Sequence, residues 1–365
     1  MKWTYLGLVL IPLVIVSCTK DDPEPEPQPT PYDLDIPPFF PSEVYIPDDN
    51  PLTVEGVKLG RYLFYDGRIA GRADEGKYMS CSSCHVQGNS FEVGMPRPAP
   101  VGLNGISTGH AMLPMINLIW NPGRIGWNGS VANIEDDVYI VISDPSEFGS
   151  TNEKVVAAIQ SIPMYPPMFE AAFGTREVTV ERIAKAIAQF VRTLISSNSK
   201  FDRYMRGEEQ LTLEELNGYV LFSTEEGADC FHCHGGSGNP LFTTNLFYNN
   251  GKDDSFAGES DRYSVTGDET MKGAYKATTL RNIEFTGPYM HDGRFNTLDE
   301  VIDFYAHALK WSPYIDPLMH HISNGGNQLL PAEKAALKAF LKTLSDTSFL
   351  TDPRFSRPGD LPVFK

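Results

Sequence analysis

The chain has 365 residues, 41% hydrophobic and 21% charged, which suits about two globular domains and excludes disorder over most of its length. Its 30 basic and 47 acidic residues give a net charge of −17, so a nucleic-acid partner bound through phosphate neutralisation is disfavoured. Five cysteines are too few to staple a chain of this length, and their odd number asks for a separate account of one of them.

Lys2 precedes an uncharged stretch from Trp3 to Ser17, shorter than the roughly 20 residues that span a bilayer and typical of a cleaved signal peptide over residues 1–17. The run Ile15-Val16-Ser17-Cys18 resembles a bacterial lipobox, which makes Cys18 the acylated N-terminus of the mature protein and accounts for the odd cysteine. Two or three acyl chains anchor stably where one would be marginal. Lys20-Asp21-Asp22 resembles a sorting signal of Gram-negative surface lipoproteins, so an outer-membrane lipoprotein of the cell envelope is expected. Residues 18–42 read as a Pro/acid-rich linker, extended and unable to form a core. Loss of Lys2 leaves the mature body still more acidic, which suits a donor protein with a basic face.

Cys81-Ser82-Ser83-Cys84-His85 and Cys230-Phe231-His232-Cys233-His234 are both C-x-x-C-H, the pattern of covalent haem c attachment. Two thiols on one turn reach the two vinyl groups of the porphyrin, and the adjacent histidine lies under the iron. A zinc site would want four clustered ligands and would leave His85 and His234 without a reason.

The flanks of the two motifs repeat as well. Gly60-Arg61-Tyr62-Leu63-Phe64 precedes the first and Gly218-Tyr219-Val220-Leu221-Phe222 the second. Phe190-Val191-Arg192-Thr193-Leu194 is echoed by Phe340-Leu341-Lys342-Thr343-Leu344, 105 residues after His85 and 106 after His234 respectively. This is a tandem duplication. Each copy opens with an amphipathic helix, expected over 53–65 and 212–223, and closes with one, expected over 180–197 and 331–345. The closing helices carry Ile183, Ile187, Phe190, Val191 and Leu194, then Ala336, Leu337, Phe340, Leu341 and Leu344, at helical spacing. Thr179 and Thr212 read as helix caps. The expected fold is all-α, a tandem pair of class I cytochrome c domains at 43–205 and 206–350 with haem-wrapping loops, followed by a tail at 351–365.

Three further stretches resemble the bacterial diheme cytochrome c peroxidase family, together with the related enzymes that oxidise a protein during methylamine dehydrogenase maturation. Thr279-Leu280-Arg281-Asn282 with Thr286-Gly287-Pro288-Tyr289-Met290-His291-Asp292-Gly293 is similar to the family's TLRN…T-x-PY-x-H-x-G signature. Met115-Ile116-Asn117-Leu118 leading to Gly126-Trp127-Asn128-Gly129 resembles its aromatic-Trp-Asp-Gly element. Asp144-Pro145-Ser146-Glu147-Phe148 resembles its Asn-Pro-x-Glu-Met element.

The resemblance implies hydrogen peroxide as substrate, reduced at the haem of the first copy, with electrons entering through the haem of the second. It implies Glu147 as the proton-transfer group on the open face of the first haem and Trp127 as an electron relay between the two. A carboxylate in a dry pocket can take the proton from one peroxide oxygen and return it to the other. The implied donor is a small c-type cytochrome or cupredoxin, or a quinol-linked chain, and the implied assembly a homodimer. The family's calcium site would fall on the carbonyls of Thr286 and Pro288, but its Asn position falls at or beside His110, whose imidazole suits calcium poorly. His110 is then a distal ligand of the first haem or a plain hydrogen-bonding residue. Candidates for the sixth ligand of the second haem are Met290, Tyr305, His307 and Met319. A count from the Pro288 to Gly293 signature puts Tyr305 where the well-studied peroxidases hold Met and the protein-oxidising relatives hold Tyr. Two alternatives to a peroxidase stay open: a peroxide-driven oxidase of another protein or small molecule, and a non-catalytic electron carrier. The pair His320-His321 reads as surface.

Overall fold

The computed structural model describes residues 1, 3, 28–95, 99–236 and 238–364. Cys18 and the expected signal peptide lie outside the described residues, apart from Met1 and Trp3. The described helices are α1 (Val54–Tyr65), α2 (Ile134–Ser143), α3 (Asn152–Ser161), α4 (Tyr165–Phe173), α5 (Val180–Arg192), α6 (Lys200–Met205), α7 (Leu213–Phe222), α8 (Phe231–His234), α9 (Arg262–Thr266), α10 (Leu298–His307), α11 (Pro331–Lys342) and α12 (Thr347–Leu350). None of them is long and apolar enough to cross a membrane. Among the described residues the regular secondary structure is mostly helical, as expected, with little strand. The exception is a two-stranded antiparallel ribbon, β1 (Phe247–Tyr248) with β2 (Tyr275–Lys276), in the register Phe247 to Lys276.

The repeated sequence elements occupy repeated structural positions. Thr53 caps α1, Thr179 caps α5 and Thr212 caps α7, each hydroxyl accepting from a backbone N–H three residues on. Opening helix α1 crosses closing helix α5 at Gly60, where a Cβ would stand 1.8 Å from the Ala186 carbonyl oxygen. Opening helix α7 crosses α11 at Gly218 in the same way, 2.0 Å from the Ala336 carbonyl oxygen. One turn beyond each glycine an edge-to-face or tilted aromatic pair fills the crossing: Phe64 with Phe190 at 5.3 Å, and Phe222 with Phe340 at 5.2 Å.

The closing helices end earlier than the apolar pattern suggested, at Arg192 and Lys342. The hydroxyls of Thr193 and Thr343 donate back to the carbonyls of Phe190 and Phe340 and turn the chain out of the helix. Leu194 and Leu344 then face inward without being helical and are fully buried. Leu59, Leu63, Ile183, Ile187 and Val191 join one core around the first crossing, and Leu337, Leu341, Phe201 and Phe242 another around the second.

A third apolar cluster joins Phe40 and Leu52 to Ile119, Trp120 and Leu241. Residues 32–42, inside the stretch expected as linker, thus pack on the body: Tyr32 N–H donates to Leu52, and the Arg281 guanidinium lies 4.7 Å above the Phe40 ring. The stretch 347–364 returns to the first copy. Phe349 and Phe355 enter its core, Arg61 donates to the carbonyls of Pro353 and Ser356, and Phe364 stacks on Tyr78 at 4.3 Å.

The crossing geometry predicts that Gly60→Ala overpacks the α1–α5 contact and costs about 1–3 kcal/mol in denaturant unfolding. Gly88→Ala, where a Cβ meets nothing within 4 Å, should change stability by less than about 0.5 kcal/mol.

Candidate active site

Two cavities flank the two C-x-x-C-H turns. The first is lined by Cys81, Cys84 and His85 together with Phe64, Ile134, Val138 and Ile187 from the helices around it. The second is lined by Cys230, Cys233 and His234 with Leu280, Ile283, Ile302, Leu337 and Leu341. In both, Nδ1 of the histidine is hydrogen-bonded to a backbone carbonyl, His85 to Phe91 at 2.8 Å and His234 to Thr278 at 3.0 Å. That bond fixes the tautomer and leaves Nε2 as the nitrogen available to iron. Burial pushes both imidazoles down to about 4, so they are neutral near pH 7. Two thiols, a neutral oriented imidazole and apolar walls fit haem c in each cavity.

Glu147 lines the first cavity. It is brought there by the turn that ends α2: the Asp144 side chain accepts from the Ser146 N–H at 2.7 Å, and the Glu147 N–H donates to the Asp144 carbonyl at 3.0 Å. Buried Phe148 anchors the turn. Burial, followed by the nearby charges of Asp137 and Asp144, raises the Glu147 carboxyl to about 7.

Asp137 was not singled out from the sequence. It lines the same cavity from α2, and burial raises its carboxyl to about 6. A signal was present: Ile134, Asp137, Val138 and Val141 share the cavity-facing stripe of α2 at i, i+3, i+4 and i+7, so an acid sits on the apolar face.

Trp127 lines the second cavity, although its sequence neighbours belong to the first copy. Its loop docks across the two copies. The Lys276 N–H donates to the Trp127 carbonyl at 2.8 Å, and Arg262 donates to the carbonyls of Asn128 and Gly129. The indole N–H donates to the Ala111 carbonyl at 2.7 Å, and the ring lies edge-on to His291 at 6.4 Å. Met112, next to Ala111, lines both cavities.

Tyr305 lines the second cavity, and its hydroxyl accepts from Asn250 Nδ2 at 2.8 Å. Burial raises its phenol, opposed in part by the Asn250 bond. Met290 and Met319 also line this cavity, whereas His307 does not and is exposed. Two residues apart on α10, Tyr305 and His307 point about 200° apart, so one of them must face away.

The TLRN stretch braces the second cavity from behind. Buried Arg281 makes a two-pronged bond to Asp202 at 2.6 and 2.9 Å, and the Thr279 hydroxyl donates to the Leu241 carbonyl. The calcium implied at Thr286 and Pro288 finds no support. His110 brings an imidazole, packed 6.0 Å from that of His291, where calcium would want oxygen. His110 does not line the first cavity either, and its Nδ1 is buried without a hydrogen-bond partner.

Comparison with known proteins agrees with this geometry. The family model for di-haem cytochrome c peroxidase matches residues 54–210. The methylamine utilization protein MauG of Methylorubrum extorquens is 31% identical over 309 residues, covering 83% of this chain and 82% of its own. Cytochrome c551 peroxidase of Nitrosomonas europaea is 33% identical over 266 residues, covering 69% of this chain and 73% of its own. The crystal structure of a MauG-like protein associated with microbial copper homeostasis superposes with a TM-score of 0.79 at 32% identity, covering 90% of this chain and 99% of that one. With relatives above 30% identity along most of its length, the chain belongs to the di-haem cytochrome c peroxidase family.

Proposed function

We propose that the protein is a tandem cytochrome c enzyme that reduces hydrogen peroxide to water in its first cavity, with electrons supplied through its second. The observation that carries this reading is the pair of carboxylates, Glu147 and Asp137, in a mostly apolar cavity that also holds Cys81, Cys84 and His85. A haem bound there supplies the iron that holds peroxide and delivers the electrons for cleavage of the O–O bond. The chain handles the protons. Ionised Glu147 takes the proton from the oxygen held at the site and returns it to the departing one, which leaves as water. Overall, one peroxide, two electrons and two protons give two waters. Burial, reinforced by like-charge repulsion from Asp137 on the same wall and from Asp144, raises the Glu147 carboxyl to about 7, so that it can both accept and release a proton at physiological pH.

Trp127, beside the second cavity and reached from the first through Ala111 and Met112, is the proposed electron relay. The domains at 43–205 and 206–350 and the acylated Cys18, anchoring the protein in the cell envelope, complete the reading. The electron donor is a small cytochrome, a cupredoxin or a quinol-linked chain.

Tyr305 favours a second reading, the peroxide-driven oxidation of another protein or small molecule. A phenolate stabilises ferric and higher iron states, where a methionine raises the potential and favours a ferrous reservoir.

Mass spectrometry of the mature protein should show the gain of two haems. Turnover should rise with pH through about 7 as Glu147 ionises. Glu147→Gln should flatten that limb and lower turnover by roughly two orders of magnitude with the haem spectra nearly unchanged; near-wild-type turnover would remove Glu147 from the mechanism. Asp137→Asn leaves the burial that raises Glu147 but removes the Asp137 repulsion added to it, so it should move the limb part of the way to lower pH. Tyr305→Phe should convert the second haem's ferric signal from low-spin to high-spin, and His307→Ala should not. An unchanged Tyr305→Phe spectrum would hand the ligand position to another residue of that cavity.

A further inference from the structure

The second C-x-x-C-H turn carries a histidine at a position where the first carries Ser83, and the residues around it are those of a metal site. His232, His320 and Glu225 each offer a donor atom within 4.8 Å of the others. The approach of His232 Nε2 to Glu225 Oε1 is 3.5 Å, the separation that two ligands of one tetrahedral zinc ion adopt at about 2.0–2.2 Å from the metal. Glu225 and His320 are exposed enough to close the remaining distance by side-chain rotation, with 58% and 40% of their side-chain surface accessible.

A fourth residue holds the His232 imidazole in place and lies beside that of His320. The nearly buried carboxylate of Asp229 meets His232 Nδ1 at 2.6 Å and His320 Nδ1 at 3.1 Å, one oxygen to each. The His232 ring then presents Nε2 to Glu225 on the side away from the carboxylate, the usual carboxylate–histidine–metal arrangement. The two rings stand edge to face at 5.1 Å. Asp229 adopts a left-handed backbone, φ 56°, and its N–H is bonded to the Thr224 carbonyl, so the loop is closed around this position. His321 fixes the other side, its Nε2 bonded to the Glu225 carbonyl at 2.7 Å. The pair His320-His321, expected as plain surface, is therefore built into a constellation that joins residues some ninety positions apart.

We propose that Glu225, His232 and His320, oriented by Asp229, bind a divalent first-row transition-metal ion of the zinc class at the rim of the second cavity. Two imidazoles and a carboxylate suit such an ion, and water can complete its tetrahedron. The site is distinct from the haem irons: His234 serves one cavity and His85 the other, and neither belongs to this cluster. Among the described residues the first copy has no counterpart: Ser83 there closes the local Ser80 turn instead.

Zinc chloride titrated into the two-haem protein, read by calorimetry and by metal analysis after dialysis, tests the proposal. One zinc per chain is expected beyond the two irons. His320→Ala and Glu225→Gln should each weaken binding tenfold or more, Asp229→Asn by roughly 10- to 100-fold, and Ser83→Ala not at all. Absence of saturable binding up to millimolar zinc would overturn the proposal. So would zinc bound with unchanged affinity by His320→Ala and Glu225→Gln.

Discussion

The close crossing of an opening and a closing helix, made twice, is the contact on which the rest of the molecule depends. At Gly60 and Gly218 the backbone of one helix lies against a carbonyl of the other, nearer than any side chain allows. The Phe64–Phe190 and Phe222–Phe340 pairs fill the space that opens one turn further along. Each crossing sets one wall of a cavity: Phe64 and Ile187 line the first, Leu337 and Leu341 the second. A duplication that kept only the attachment cysteines would not have kept the cavity.

The two copies are held in fixed relation by a buried polar junction. Asn117 and Asn282 both adopt the left-handed conformation, and each accepts from a backbone N–H just past its own closing helix, Ser196 at 2.9 Å and Asp346 at 2.7 Å. The Asn282 amide donates to Ser90 and Ser196 of the first copy, and the Asp346 carboxylate accepts from Ser196, Ser197 and Asn198. A buried network of this kind is stable because its members are satisfied, and it tolerates little displacement. With the Trp127 loop docked on Lys276 and Arg262, it fixes how the first cavity faces the second. The electron transfer proposed between them would need that relation to be constant.

Much of this was legible in the sequence because haem attachment, helix crossing and capping each leave a local mark. The motif spacing, the paired glycines and phenylalanines and the threonine caps are short-range features with one physical meaning each. Other parts were not legible because they depend on which distant segments meet. Asp137 was hidden in an apolar stripe, where an acid reads as an irregularity until Glu147 is seen beside it. Residues 32–42 look like spacer by composition, yet Phe40 finds a cluster made by Ile119, Trp120 and Leu241. The return of residues 347–364 to the first copy is recorded only in their contacts. The choice between Tyr305 and His307, by contrast, could have been narrowed from helical periodicity alone, since only one of them can share a face with Ile302.

The proposed division of labour gives proton transfer to the first cavity, which Glu147 and Asp137 line, and iron ligation in the second to Tyr305, which lines it. Electron paramagnetic resonance of the unmodified diferric protein reads both at once. The account predicts one high-spin ferric signal from the first haem and one low-spin signal from the second, with peroxide perturbing the high-spin signal first. Two low-spin signals, each indifferent to peroxide, would contradict it and leave an electron carrier with both irons closed.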